Sequence, residues 1–334
     1  MKVDGGVGAD LSTVGAQAQE LEEMGYSGIM TAETSHDPFF PLLVAAQNTE
    51  KVELITSIAV AFARTPMVLA NIGHDLNSFS KGRFVLGLGS QIRPHITKRF
   101  SMPWSSPAAR MREFILAMRA IWGTWHEGKP LEFTGKYYTH TLMTPMFTPT
   151  DIDYGAPKVM LAAVGPKMTE AAGEVADGMI VHAFTTEKYL RGTTMPALER
   201  GMAKSGRRRE DFEISYPVFV VTGQTEEELA QSKIATAKQI AFYGSTPAYK
   251  PVLDSIDAGE LQGDLNKMSK QGRWDEMGLL IGDDLLKEFA VVGEPQQIAA
   301  QIKSRYGDLV DRTSAAYANI PKSDRVKIIK DLAS

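Results

Sequence analysis

The sequence contains no cysteine in 334 residues. Disulfides, cysteine zinc sites, iron–sulfur clusters and thiol nucleophiles are therefore excluded. Histidine is scarce as well. The six histidines, at positions 36, 74, 95, 126, 140 and 182, show no pair at metal-ligand spacing, although a barrel can gather ligands from separate strands. His-Glu-x-x-His and Gly-x-Ser-x-Gly are both missing. Long apolar runs are missing too: segments such as 58–63 have the length of a strand and fall far short of a membrane span. The start, Met1-Lys2-Val3-Asp4-Gly5-Gly6, turns polar at once without the apolar core of a secretory leader, so a cytoplasmic location is expected. Neither sign of charge dominates: 36 Lys and Arg stand against 40 Asp and Glu, a net charge of −4. That balance gives no electrostatic reason to expect nucleic acid or an anionic membrane as partner, and a small-molecule substrate is the expectation.

What is present reads as an ordinary globular chain, 43% hydrophobic and 23% charged. A chain of this length buries roughly three quarters of its unfolded surface, so it needs no cross-links. Strand-sized apolar runs alternate with amphipathic segments of helical length. Strands are expected at 2–4, 28–31, 52–59, 84–87, 158–163, 178–182, 213–222 and 313–318. Helices are expected at 12–24, 38–48, 66–80, 107–126, 166–175, 187–204, 226–243, 295–306 and 322–332. Thr65 supplies an N-cap and Pro66 the first helical position of the third helix. Phe114, Met118, Ile121 and Trp125 fall on one helical face. Eight repeated strand-then-helix units imply parallel strands joined by right-handed crossovers, and fit a closed (β/α)8 TIM barrel better than an open sheet.

Two stretches depart from the repeat, 127–157 and 244–282. The first is rich in Pro, Thr and aromatics and carries a candidate hairpin at 131–138; the second leans polar and helical. Neither holds enough apolar residues for a core of its own, so both are read as insertions on a single domain spanning 1–334. Arg207-Arg208-Arg209, between a helix and a strand, reads as a solvated turn, with an anion site as the lesser alternative. Gly123 to Lys129 matches phosphate-loop spacing, but position 130 is Pro where a hydroxyl should hold magnesium, and the segment ends a helix instead of opening one.

In a barrel the residues just after each strand face the catalytic mouth. After the second strand, Glu33 and His36 lie three apart, with Asp37-Pro38 next. They suit shared proton transfer, and a polar loop leading into a helix fits them as well. After the third, 57–66 reads as a buried strand feeding a capped helix. After the fourth come Gly87, Gly89, Ser90 and Gln91, where glycines let backbone approach a ligand. The dinucleotide fingerprint is not met, because position 92 is Ile. After the fifth, Val164, Gly165, Pro166, Lys167, Met168 and Thr169 combine a glycine, a helix start, a cation and a hydroxyl. That is the composition of a phosphate cradle and equally of a plain turn. His182 ends the sixth strand, where a satisfied core histidine is the competing reading.

Four segments carry a family resemblance. Residues 21–29 (LEEMGYSGI), 80–89 (SKGRFVLGLG), Gly165-Pro166-Lys167 leading to Asp177-Gly178, and Val291-Val292-Gly293-Glu294-Pro295 occur in the order seen in luciferase-like monooxygenases. Together they resemble the coenzyme F420-dependent oxidoreductase branch of that family along nearly the whole chain. The resemblance implies a non-proline cis peptide at Ser57-Ile58 behind the deazaflavin or flavin ring. It further implies a cofactor lining at Gly87 to Gln91, a phosphate site at Val164 to Thr169 and proton handling by Glu33, with His36 as a substitute for a histidine that relatives carry directly after the acid. Here Thr34 follows Glu33, so alcohol- or sugar-oxidising chemistry that relies on that adjacent histidine has no matching residue. The substrate-phosphate residues of sugar-phosphate dehydrogenases have no match either.

The implied activity is hydride transfer between F420 and a small organic substrate, by an enzyme that relatives suggest is a homodimer. Three alternatives stand beside it. One is a flavin mononucleotide (FMN) monooxygenase of the same family, served by a separate reductase. Another is a metal-dependent barrel hydrolase using Glu33, His36, Asp37 and His182. The last is a non-catalytic flavin-binding protein.

Overall fold

Eight segments form strands whose neighbours in the sheet are neighbours in the chain. They are β1 (Lys2–Gly6), β2 (Gly28–Thr31), β3 (Glu53–Thr56), β4 (Phe84–Gly89), β5 (Lys158–Ala163), β6 (Gly178–Val181), β7 (Glu213–Tyr216) and β8 (Arg312–Ser314). The order runs from β1 to β8 and returns to β1. The registers Gly28↔Glu53, Leu54↔Phe84, Val85↔Lys158 and Lys2↔Arg312 are all parallel. This is the (β/α)8 barrel expected from the alternation. β4 is buried at every position, which is why it reads as a near-continuous apolar run and not as an alternating one. The structure is a computed structural model that describes residues 1–314 and 320–334.

Contacts group the chain into two compact units, and the boundary falls inside β1, β6, β7 and the helix Met195–Ser205. One unit comprises Gly5–Ile180 and Ala197–Glu213; the other comprises Met1–Asp4, Val181–Pro196 and Ile214–Ser334. In the first, Ile55, Val85, Met160 and Ile180 make a buried layer between β3, β4, β5 and β6, with Met30, Ile58 and Ala162 packed on it. Its outer helices are α1 (Leu11–Glu23), α2 (Phe39–Asn48), α3 (Pro66–Phe79), α4 (Pro107–Glu127), α5 (Pro166–Val175) and α6 (Met195–Ser205). The Thr65 side chain accepts from Val68 N, and proline stands at the start of α3, α4 and α5. A proline ring sets the helical φ there at no cost in hydrogen bonds, so the sequence marks these starts to the residue.

The second unit holds a bidentate ion pair between Asp4 of β1 and Arg312 of β8, both 0% exposed, with N···O distances of 2.8 and 2.7 Å. Beyond the barrel strands, Phe219–Val221 pairs in parallel with Ala290–Val292. Helix α7 (Glu226–Gly244) opens with a capping box from Thr225 and Glu228. Phe184, Tyr189, Phe219, Ile240, Leu253, Leu265 and Phe289 belong to one buried apolar cluster beside this pair. The last two helices are α8 (Pro295–Tyr306) and α9 (Lys322–Ala333).

Several expected elements are altered. The strand expected at 52–59 stops at Thr56 and resumes as Ala59–Val60, which pairs with Leu88 and Gly89. The strand expected at 213–222 is two strands, of which the first alone is in the barrel. The helix expected at 187–204 is broken into Glu187–Tyr189, a loose turn Leu190–Thr194, and α6. Of the strand expected at 313–318, residues 315–318 lie outside the described residues.

The candidate hairpin exists, as Phe133–Thr134 against Thr139–His140. It is fixed by Glu113 of α4, whose carboxylate accepts from Lys136 N, Tyr137 N and Tyr138 N. From there the chain returns along α3, where Asp151 accepts from Ser78 Oγ at 2.6 Å and Asn77 donates to Gly155 O at 3.0 Å. In the arginine run each residue is committed: Arg207 to Ala176 O and Asp177, Arg208 to Asp211, Arg209 to Phe212 O. The solvated-turn reading fits the exposed Arg208, whereas Arg207 and Arg209 are partly buried against backbone carbonyls.

Candidate active site

Glu33 follows β2 and is only 6% exposed at its side chain. Its Oε2 accepts from Val60 N at 2.7 Å and from Arg64 Nη1 at 2.7 Å. Arg64 donates its other branch, Nη2, to Asp37 Oδ2 at 2.8 Å, and its guanidinium lies 5.3 Å from the centroid of the Phe39 ring. One guanidinium thus ties the loop after β2 to the segment after β3. Forked donors are well matched to this task, and a lysine would not replace them. Glu33 Oε1 has no hydrogen-bond partner among the described residues and is not sealed from solvent. His36 is exposed, and no hydrogen bond joins it to Glu33.

Local sequence reasoning read 57–66 as structural, the family resemblance raised only Ser57-Ile58 to the cofactor site, and Arg64 was missed. A signal existed. β2 and β3 are adjacent strands, so an acid just past one and a base just past the next are placed to meet.

The Ser57–Ile58 peptide is cis. Ser57 N donates to Thr31 O at 2.6 Å, and Glu33 N donates to Ile58 O at 3.2 Å. The glycines of β4 fit against this segment. A Cβ on Gly87 would stand 1.8 Å from Thr56 O, and one on Gly89 would stand 2.7 Å from Ile58 Cδ1. Thr56 Oγ1 donates to Gly87 O at 2.8 Å and accepts from Gly87 N at 2.9 Å. The space in front of both glycines is therefore filled by protein, not kept for a ligand. Past them, Gln91 adopts a φ of 57° and its Oε1 accepts from Ile92 N at 2.9 Å. Ser90 Oγ donates to Gln91 O at 3.2 Å.

Gly165 differs: nothing stands within 4 Å of where its Cβ would be. It is the N-cap of α5, and Ser106 is the N-cap of α4. Neither contributes a capping side-chain hydrogen bond. Both helix starts line one cavity of about 770 Å³, through Ser106, Pro107, Ala108 and Ala109 on one side and Gly165, Pro166, Lys167 and Met168 on the other. Two uncapped helix N-termini aimed at one space, with an ammonium beside them, make an electropositive pocket. Thr169 does not face it. That residue is buried, and its hydroxyl donates to Gly165 O at 3.2 Å.

Nearby, Arg110 in the first turn of α4 donates to Pro103 O at 2.8 Å and to Tyr138 Oη at 2.7 Å. It also stacks 4.3 Å from the Phe62 ring, against which Trp104 packs edge-on. The Met102-Pro103-Trp104 loop and the hairpin are thereby clamped to the start of α4. The later part of the insertion, 150–155, lies instead against the C-terminal half of α3.

In the other unit, His182 directly follows β6. Its Nδ1 accepts from Phe184 N at 3.0 Å, and its ring meets those of Tyr243 and Tyr249 at 4.7 and 4.8 Å. Burial among these rings pushes its pKa down to about 4. His182 is neutral at physiological pH.

No group of three or more His, Asp or Glu stands ready to ligate a metal among the described residues. Of the candidate ligands, Asp37 Oδ2 and Glu33 Oε2 are engaged by Arg64, and no helix is long and apolar enough to cross a membrane.

Comparison with known proteins agrees with this architecture. The chain is 54% identical over 312 residues to an uncharacterized protein of Mycobacterium tuberculosis, covering 93% of this chain and 92% of that one. It is 28% identical over 298 residues to a putative coenzyme F420-dependent oxidoreductase of the same organism, covering 84% of each. The coenzyme F420-dependent tetrahydromethanopterin reductase from Methanopyrus kandleri has a similar fold, with a TM-score of 0.78 at 19% identity over 98% of this chain and 96% of that one. The luciferase-like monooxygenase pattern matches residues 2–312, and the chain belongs to the luciferase-like monooxygenase family.

Proposed function

We propose that this protein is a coenzyme F420-dependent oxidoreductase that exchanges a hydride between the deazaflavin and a small organic substrate. The observation that carries the reading is the cavity shared by the starts of α4 and α5. An anionic, phosphate-bearing cofactor needs donors and positive potential, and here the open first turns of two helices and Lys167 supply both. The deazaflavin, when bound, supplies the hydride chemistry, which no amino-acid side chain provides.

The remaining roles fall to the chain's own groups. Gly165 leaves room for a phosphate because it adds no side chain at the helix start. Arg64 and Val60 N hold Glu33 in one orientation through Oε2, which leaves Oε1 to take or give a proton. His36, exposed on the same loop, is the second proton-handling candidate in this reading. The contacts among Arg110, Phe62, Trp104 and Tyr138 fix the loop and the hairpin beside the start of α4. A homodimer belongs to this reading, through the exposed apolar residues Phe40 and Leu43 of α2 and Val68 and Phe79 of α3.

Purified protein titrated separately with F420 and with FMN tests the assignment. F420 is expected to bind at least tenfold more tightly. Tight FMN binding without measurable F420 binding would overturn the proposal in favour of a flavin monooxygenase supplied by a separate reductase.

A further inference from the structure

His182 is not engaged by any role described above, and its surroundings are specific. It sits immediately after β6, at the C-terminal end of a barrel strand, where barrel enzymes place substrate-contacting groups. Because Nδ1 accepts the Phe184 N–H, that nitrogen carries no proton, and the neutral ring must carry it on Nε2. Nε2 is thus a fixed donor. It has no hydrogen-bond partner among the described residues and is not sealed from solvent.

Its neighbours are aromatic. Tyr243 meets the imidazole edge-on at 81° and Tyr249 lies tilted at 38°, while Phe184 stacks on Tyr249 at 28°. The Tyr243 hydroxyl already accepts from Gln239 Nε2 at 3.3 Å. The cations nearest in sequence are matched as well, Lys188 with Asp257 at 3.8 Å and Lys250 with Asp254. The donors here, His182 Nε2–H and the two phenol O–H groups, are all uncharged at neutral pH and stand among aromatic rings, which favours an uncharged acceptor oxygen on a flat molecule. An anion would lose its hydration here beside two lysines already matched by carboxylates, whereas a conjugated ring gains stacking area.

We propose that His182, Tyr243 and Tyr249 form a substrate subsite that binds a planar, uncharged carbonyl compound, with the carbonyl oxygen accepting a hydrogen bond from His182 Nε2–H. The inference rests on the oxidoreductase reading for its context and narrows the substrate class to aromatic or conjugated ketones, aldehydes and quinones.

Acetophenone is the probe, with benzoate as its charged counterpart of the same shape. Protein carrying 15N-labelled histidine is titrated with each and followed by imidazole 15N resonances, with His182→Gln providing the assignment. His182 is expected to show a protonated Nε2 and a bare Nδ1. Acetophenone is expected to shift Nε2, and benzoate to bind at least fivefold more weakly. His182→Phe is expected to weaken acetophenone at least fivefold, and His182→Gln, which keeps a donor, less than that. Equal binding of the two probes, or acetophenone affinity unchanged within twofold in both variants, would overturn the subsite. F420 affinity of the wild-type protein is measured alongside. Absence of F420 binding with the His182 shift intact would remove the cofactor reading and leave the subsite standing.

Discussion

Gly87 lies inside a barrel strand and Gly165 follows one, and both look from sequence like places where backbone approaches a cofactor. In three dimensions they are opposites. In front of Gly87 stands Thr56 O, 1.8 Å from where a Cβ would be; in front of Gly165 there is nothing within 4 Å. A glycine inside a closely paired strand serves the neighbouring strand. A glycine at an uncapped helix start keeps a surface open. The same division applies to side chains. Glu33 has one oxygen filled by Arg64 and Val60 and one open, and His182 has one nitrogen filled by Phe184 and one open. Groups filled by protein hold the fold, and their open counterparts are where a ligand has room.

This contrast is easiest to break at Gly87. Gly87→Ala forces a backbone oxygen to move, and a loss of about 3 kcal/mol or more is expected in urea unfolding. A change below about 1 kcal/mol would mean the strands are not packed as described.

The next effect is acid sensitivity. The unfolded His182 titrates near 6.5 and the native ring near about 4. Between those values the unfolded state binds the proton that the native state refuses. The stabilisation is complete above about pH 6.5 and is lost as pH falls towards 4, a total of about 3 kcal/mol. His126 and His140, also lowered by burial, act in the same direction. His182→Gln should flatten the stability curve over that interval by the larger part of this amount, as measured by denaturation at successive pH values.

Arg64→Leu comes third. It leaves the largely buried Glu33 carboxylate without its counter-charge, and about 2 kcal/mol of stability should be lost. The companion variant Glu33→Gln should lose less, because an amide keeps the acceptor and adds no unpaired charge.

Gly165→Ala is the smallest. With open space around the position, a stability change within about 0.5 kcal/mol is expected, while F420 binding weakens severalfold because the methyl enters the cavity. A large stability loss there would erase the distinction between the two glycines.

Much of the fold was legible because its markers are local. Pro66, Pro107, Pro166 and Pro295 open helices at the positions expected of them, since a proline's constraint needs no tertiary partner. The parallel pairing of Phe219–Val221 with Ala290–Val292 was not legible. Two three-residue runs about seventy positions apart carry no periodicity, and the first looks like a continuation of β7.

The site was legible as segments but not as contacts. The third-strand segment with its cis Ser57–Ile58 bond and the open start of α5 could be placed from sequence. The convergence of α4 on the same cavity depends on how two helices pack. Glu33 was visible as a carboxylate at a strand end, but its partner Arg64 is 31 residues away, and only strand adjacency brings them together.

The most direct test of the central claim compares F420 with the same deazaflavin lacking its phosphate-bearing tail, in wild-type protein and in Lys167→Glu. If the cavity between α4 and α5 holds the phosphate, the charge reversal should weaken F420 by about tenfold or more, roughly 1.4 kcal/mol. It should leave the phosphate-free deazaflavin unchanged within twofold. Equal weakening of both ligands, or of neither, would contradict the assignment.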